Sequence, residues 1–318
     1  MDITTECNLR CKHCHLWTTK EPKNAIRTEE KVRVLREFGE WKRNGVVLLA
    51  GGETLLKPDE VFAMAAEAKR LGLDAKLLTN LTLLQEEWDK PLLQSGLSEI
   101  CVSLDAPTAE SYDHSRGVPG TFEKAVAAIK RLVQLRKNLP GAAEIQVNTI
   151  LKKSLLPVLS EHLDFVRSLG VEKIFVMPLE RTFGSSWPND PYYEREKLEP
   201  SEEARKAFRE LHEIKKKSSF LTNTEEDIQL IEDTVFGNLK LDRFVCQAAE
   251  RNIVVDMLGN VRLCHYMELL VGPGKSLGNI RVDSLPEICG EKADPLRELM
   301  RVCNHSCKLL TCNRKTVF

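Results

Sequence analysis

Six short apolar runs alternate with amphipathic helical stretches over the first 180 or so residues, and this predicts an α/β fold with a parallel sheet wrapped into a partial or full barrel. The runs are apolar on both faces, as expected of strands covered by helices. The rhythm then breaks, and a cysteine-rich tail with a hairpin pattern predicts a small α+β region at the C-terminal end.

The first strand is the stretch DITT. In TEEKVRVLREFGEWKRNG, Val34, Leu35, Phe38 and Trp41 share one helical face, and Gly45 stops the helix ahead of the strand VVLL. Pro58 suits a first helical turn, and Val61, Met64, Ala65, Ala68 and Leu71 recur at helical spacing before the strand AKLLT. A helix at 85–93, the strand EICVSLD, a helix at 121–136, the strand IQVNTIL, a helix at 157–169 and the strand KIFVMPL continue the beat. The long connection ERTFGSSWPNDPYYEREKLEP has the character of a lid, with Trp187, Tyr192 and Tyr193 available to cover a substrate or to pack the lid down. Helices at 201–217 and 225–236 lead to NIVVDMLGNVRLC, expected to form a hairpin turning at Gly259 and Asn260. The expected layout is a partial (β/α)6 TIM-like barrel at 1–200, a helical linker at 201–241 and a small cluster-binding domain at 242–318, the boundary falling between Asn238 and Cys246.

A chain of 318 residues buries about three quarters of its unfolded surface and does not need disulfide staples. Its net charge of -1 is spread over interspersed acids and bases with no arginine-rich arm, so nucleic acid is not an expected partner. No apolar run approaches the roughly 20 residues of a membrane span and the N-terminus is polar, so no membrane contact and a cytoplasmic location are expected. In such a chain ten cysteines point to metal or cluster ligation rather than to a disulfide framework. Three lie at the extreme N-terminus and five crowd the C-terminal region, which implies two sites; Cys101 and Cys289 stand apart.

The N-terminal group, CNLRCKHC, falls in the loop after the first strand, and in parallel α/β folds chemistry gathers at such C-terminal strand ends. If Cys7, Cys11 and Cys14 each bind one iron of a four-iron cubane, the fourth iron is left open to a small molecule. The same trio also suits an incomplete zinc site.

This CxxxCxxC spacing after a first strand resembles the signature of the radical S-adenosylmethionine superfamily. The resemblance implies a [4Fe-4S] cluster whose open iron is chelated by the amino and carboxylate groups of S-adenosylmethionine, with cleavage to a 5'-deoxyadenosyl radical that abstracts a substrate hydrogen. It assigns Gly51, Gly52 and Glu53 of AGGET to the methionine ammonium, Ser103 of SLD to the carboxylate or ribose, and Arg116 of the following RG to the carboxylate. Period-two alternation puts Cys101, Ser103 and Asp105 on one strand face; Asp105 reads equally as a loop cap and Arg116 as a surface ion pair. Asn80 and Asn148 stand where relatives place polar groups toward the cofactor, and Met177, between Val176 and Pro178, resembles the segment bracketing adenine. The sequence departs from the family pattern at Leu81, where a glycine-type residue is usual, and at His13, where an aromatic is frequent.

The second cysteine group resembles the C-terminal extensions called SPASM and Twitch, which carry auxiliary iron-sulfur clusters. Five grouped thiols suit one such cluster, which favours the single-cluster Twitch form, ligated by Cys246, Cys264, Cys303 and Cys307, with Cys312 as the alternative fourth ligand; a zinc ribbon is the rival. His265, beside Cys264, and Cys289 are the candidate catalytic side chains, the latter as a hydrogen donor to a substrate radical or else as core. Cys101 reads as packing and His15 as a solvated flank.

The function expected is hydrogen abstraction from a small polar metabolite, such as a sugar, nucleoside or aminoglycoside-like compound, leading to dehydrogenation, epimerisation or elimination in biosynthesis. An external reductant such as flavodoxin or ferredoxin is expected as partner. The start of the chain almost at its first strand leaves no module to grip a leader peptide, which favours a small molecule. A peptide-modifying maturase is the rival reading, and a non-catalytic iron-sulfur or zinc protein the third.

Overall fold

The computed structural model describes residues 1–180, 190–238, 248–267, 271–272 and 274–301. Six strands form one parallel sheet in sequential order: β1 (Asp2–Thr4), β2 (Val46–Gly51), β3 (Asp74–Thr79), β4 (Glu99–Ser103), β5 (Glu144–Leu151) and β6 (Lys173–Pro178). Among the described residues β6 does not return to β1, so the sheet is an open, partial barrel. Its β6 edge is instead covered by residues 220–222, where Ile174 N donates to Phe220 O and Thr222 N to Ile174 O, each at 2.8 Å.

Helices α1 (Thr28–Trp41), α2 (Pro58–Arg70), α3 (Glu86–Gln94), α4 (Ala109–Arg116), α5 (Thr121–Arg136) and α6 (Leu159–Ser168) cover the outside. Their buried faces, Val61, Met64, Ala65 and Ala68 on α2 and Ala128, Ile129 and Leu132 on α5, meet outward-facing Leu49, Leu77, Val102 and Val147 in one apolar core. Each such leucine or valine removed from water contributes about 1.5–3 kcal/mol. The expected strands and helices are present, and α4 is an addition. Its sequence AESYDHSR is mostly polar, and only Tyr112, Ser115 and Arg116 turn inward.

The helices α7 (Pro191–Glu196), α8 (Glu202–Lys217) and α9 (Glu225–Val235) follow. The described part of the expected linker, residues 201–238, packs on the barrel, because Ala204, Ala207, Phe208, Leu211, Ile228 and Ile231 all enter its core. Trp187, Cys246, Cys303, Cys307, Cys312 and the expected boundary before Cys246 lie outside the described residues.

The C-terminal region contains a small antiparallel sheet, β7 (Val254–Val255), β8 (Asn260–Arg262) and β9 (Gly278–Asn279), with short helices at Ala248–Arg251, Leu285–Cys289 and Asp294–Arg301. The expected hairpin turn is present: Asp256 Oδ1 accepts from Leu258 N and Asn260 N, both at 2.9 Å, and Gly259 takes a φ of +81°. This sheet docks on α1 through an apolar cluster that includes Val34, Val255, Val261, Ile280, Leu285 and Ile288. Among the described residues no helix is long and apolar enough to cross a membrane.

Candidate active site

One cavity of about 1210 Å³ runs through the open barrel and is lined by Cys7, Cys11 and Cys14 at its mouth. Gly51, Gly52, Glu53, Asn80, Ser103, Asp105, Arg116, Asn148 and Met177 line the same cavity, as do Cys264 and His265 from the C-terminal region. The sequence-predicted residues that the structure describes are therefore brought together, with Cys289 as the exception. Its thiol is 1% exposed among Val34, Val255, Leu285 and Ile288, burial pushes it up to about 11, and it does not line the cavity. Its surroundings are those of a core residue.

The cysteine loop is fastened to its surroundings by groups that the sequence assigned elsewhere. Glu53, 1% exposed, accepts from Thr79 Oγ1 (2.5 Å) and Leu55 N (3.0 Å) on one oxygen and from Asn80 N (2.8 Å) on the other. Burial pushes its carboxyl up, against the pull of these hydrogen bonds. A Cβ on Gly52 would stand 2.0 Å from Glu6 O, and one on Gly51 2.3 Å from Thr4 O. The glycine pair thus makes room for the chain entering the cysteine loop, which Gly52 N and Glu53 N grip by donating to Thr4 O (2.7 Å) and Glu6 O (2.8 Å).

Asn80 is likewise engaged, since its Nδ2 donates to Asn8 Oδ1 (3.0 Å) and its Oδ1 accepts from Thr82 N (2.9 Å), while Asn8 Nδ2 donates to Thr82 Oγ1 (2.8 Å). Asn8 and Thr82 were not singled out from sequence, and the NLT spacing after β3 is the signal that could have found them. Leu81 adopts a φ of +59° at the slot where glycine is usual, a strain of about 1–2 kcal/mol offset by its full burial in the core.

From the other side, α4 ends against the loop: Arg10 N donates to Arg116 O and Lys12 N to Ser115 O, both at 2.9 Å. Gly117 (φ +72°) closes α4, and a Cβ there would lie 2.4 Å from Arg10 O, which explains the RG pair. Arg116 is paired with Asp105 and places Nη1 3.6 Å from Cys11 Sγ. It is buried, so the surface ion-pair reading does not hold. Its Nε has no hydrogen-bond partner among the described residues. Burial works to raise the Asp105 carboxyl, but Arg116 and then Lys152 bring it below its ordinary value.

His13 and His15 differ from expectation. Burial, followed by the charge of Arg116, lowers His13 to about 3, so a neutral ring fills the usually aromatic slot, its centroid 6.4 Å from that of Tyr192. His15 is not a solvated flank, because its Nε2 lies 3.5 Å from Asp190 Oδ2. Asp190 also caps α7, accepting from Tyr192 N at 2.9 Å, so α7 packs over the cysteine loop.

The barrel interior is polar. Register sets Ser103 beside Asn148 and Cys101 beside Gln146. Gln146 Nε2 donates to Asn148 Oδ1 (2.8 Å), and Cys101 Sγ donates to Glu99 Oε1 (3.2 Å), which also meets Lys76 Nζ at 3.3 Å. Cys101 therefore faces the cavity within a hydrogen-bonded ladder, and its reading as packing is corrected. His265 also lines the cavity, its imidazole lowered by burial.

The donor set fits an iron-sulfur cluster with a bound anion. Among the described residues no three metal-binding side chains converge on a single-ion position, yet the three N-terminal thiols share one cavity. A cubane takes one thiolate per iron and so needs thiols spread apart, whereas a lone zinc needs them convergent. Burial pushes the Cys7 thiol up to about 12 and raises Cys14, so loading a metal has to release protons. The orphaned Arg116 Nε supplies a buried donor for a carboxylate.

Residues 1–143 match the family model described as the radical SAM superfamily, and residues 246–313 match an iron-sulfur cluster-binding domain, SPASM. An AdoMet-dependent heme synthase of Methanosarcina barkeri is 32% identical over 198 residues, covering 61% of this chain and 54% of that protein. The protein of the same name from Nitratidesulfovibrio vulgaris is 25% identical over 296 residues, 90% of this chain and 77% of its own. The chain thus spans about half the length of the first relative. Among solved structures, Streptococcus suis SuiB bound to S-adenosylmethionine superposes with a TM-score of 0.71 at 16% identity, covering 98% of this chain and 73% of that one, a likeness of fold.

Proposed function

Because the chain belongs to the radical S-adenosylmethionine superfamily, a family of enzymes, and its cofactors are S-adenosylmethionine and iron-sulfur clusters, including an auxiliary one, we propose that Cys7, Cys11 and Cys14 hold the cluster that binds S-adenosylmethionine. When bound, cluster and cofactor supply a hydrogen-abstracting radical after one-electron reduction by an external donor. Arg116 Nε and Ser103, whose hydroxyl makes no hydrogen bond among the described residues, orient the cofactor's carboxylate end. Met177 lies against the adenine and the backbone of Gly51 and Gly52 faces the ammonium, while Glu53, Asn80 and Gly117 hold the cysteine loop in shape. Asp105 fixes Arg116, Asn148 ends the polar ladder below Ser103, and Cys264 contributes to the auxiliary cluster with Cys246, Cys303 and Cys307 or Cys312.

The substrate on this reading is a small polar metabolite that enters the barrel interior. The observation that carries it is the barrel cavity, which at about 1210 Å³ exceeds the roughly 300–1,000 Å³ of a one-ligand pocket and is lined in part by Glu99, Lys76, Gln146 and Asn148. A tetrapyrrole is the second reading, favoured by the names of relatives that extend over as much as 90% of the chain. Anaerobically reconstituted protein, given S-adenosylmethionine and dithionite, is expected to release 5'-deoxyadenosine faster with sugars or nucleosides than with iron tetrapyrroles or peptides. Stimulation by a tetrapyrrole or a peptide alone would replace the metabolite reading.

A further inference from the structure

Lys152, the residue after β5, is 5% exposed. Its Nζ makes one hydrogen bond among the described residues, 3.0 Å to Ser115 Oγ, and no ion pair. Two of the three ammonium donors are left without a partner among the described residues. The neighbouring carboxylates are engaged elsewhere: Asp105 holds Arg116 and accepts from Ile150 N at 3.1 Å, and Glu196 accepts from Ser154 N and Arg195 Nε, each at 3.2 Å. Arg116 and Lys152 share Asp105 as their strongest carboxylate neighbour, with Glu196 acting more weakly on Lys152. A buried cation with no ion pair of its own is costly, and a methionine of similar length would fill the same space at less expense.

The missing negative charge is found by following Ser115. Its hydroxyl takes Lys152 and its carbonyl takes Lys12 N of the cysteine loop at 2.9 Å, while the next residue, Arg116, reaches Cys11 Sγ. Cys11 is among the groups whose charge acts on Lys152. Thiolate ligation leaves an iron-sulfur cluster anionic, and reduction adds one more negative charge. We infer that Lys152 supplies the charge that balances the cluster held by Cys7, Cys11 and Cys14, and that it does so more strongly for the reduced cluster than for the oxidised one. The inference rests on the reading of those cysteines as cluster ligands. The step concerned is the transfer of one electron from an external reductant to the cluster, with no other bond made or broken. Lys152 is then a positioning residue for charge; it touches neither cofactor nor substrate in this role.

The test is an electron paramagnetic resonance redox titration of the reconstituted protein with dithionite, as wild type, Lys152→Met and Lys152→Arg. The methionine variant is expected to make reduction about tenfold less favourable, which is about 59 mV for one electron, with arginine restoring most of the difference and any second cluster in the same sample unmoved. A methionine variant that titrates at the wild-type midpoint overturns the inference. Should that variant not load a cluster, the thermal midpoints of the metal-free proteins decide. Metal-free Lys152→Met is expected to melt at or above wild type, because an uncompensated buried charge has been removed, whereas a clearly lower midpoint would make Lys152 a structural lysine and overturn the inference. Wild-type protein that binds no iron at the three cysteines would instead remove the reading beneath it.

Discussion

The cysteine loop at residues 7–14 is gripped from the ends of β2 and β3 and from the C-terminal turn of α4, whereas Cys264 follows strands of two and three residues that dock on a single helix. The loop is fixed by Thr4 and Glu6 against Gly52 and Glu53, by Asn8 against Asn80 and Thr82, and by Arg10 and Lys12 against the end of α4. The C-terminal sheet is held by the apolar cluster around Val261 and Ile280 and by a few ties to α1, among them Leu285 N to Glu37 Oε2 at 2.7 Å and Arg281 to Glu30 at 2.6 Å. The first site is part of the barrel's cooperative core, and the second is an attachment to it. Damage to the loop should therefore cost both stability and chemistry, and damage to the attachment should separate the two.

The largest effect is expected from Cys11→Ala, which should remove the N-terminal cluster and reduce 5'-deoxyadenosine release to background while the auxiliary cluster's signal persists. Iron content and product by liquid chromatography read the two outcomes together. Gly52→Ala comes next: with its Cβ 2.0 Å from Glu6 O, the loop entry must move, and a loss of about 1–3 kcal/mol in urea unfolding is expected along with poor cluster retention. Unchanged iron content in a stable Gly52→Ala protein would contradict the grip described here.

Acid should act on the attachment first. Glu30 is lowered to about 2, chiefly by its hydrogen bond to Arg281 and then by the backbone at Arg27, so its contribution is fully present above the ordinary value of 4.5 and is lost as pH falls toward 2. Hydrogen exchange in residues 254–289 is expected to quicken between those values before exchange in β2 to β5 does, and Arg281→Ala should reproduce the effect at neutral pH. The smallest effect is expected from Cys289→Ala, which should leave turnover at the wild-type level because the thiol is enclosed in the apolar cluster and faces no cavity.

The same contrast sets how far the sequence could be read. Strand positions followed from apolar runs, and the cysteine trio from its spacing, because both are local patterns. The partners of Glu53 and Asn80 were not legible, since a carboxylate or amide just past a strand end carries no mark of whether it will meet a ligand or the chain itself. Arg116 could be read as a partner of the cofactor's carboxylate or as a surface ion pair, and only the fold shows that the C-terminal turn of the mostly polar α4 points inward. Lys152 gave no signal at all: it is the first of two adjacent lysines after a strand, and only the fold shows it buried against Ser115 while Lys153 is exposed. Leu81 illustrates the reverse, a departure from a glycine pattern that nevertheless keeps the left-handed backbone glycine would have provided.

The most direct measurement is electron paramagnetic resonance of the reduced, anaerobically reconstituted protein before and after addition of S-adenosylmethionine, compared with a variant lacking Cys7, Cys11 and Cys14. The wild-type spectrum is expected to change on addition of the cofactor and 5'-deoxyadenosine to appear, while the variant keeps only an auxiliary signal that the cofactor leaves alone. Wild-type protein that carries zinc in place of iron at those cysteines, or whose spectrum is indifferent to the cofactor, would contradict the account.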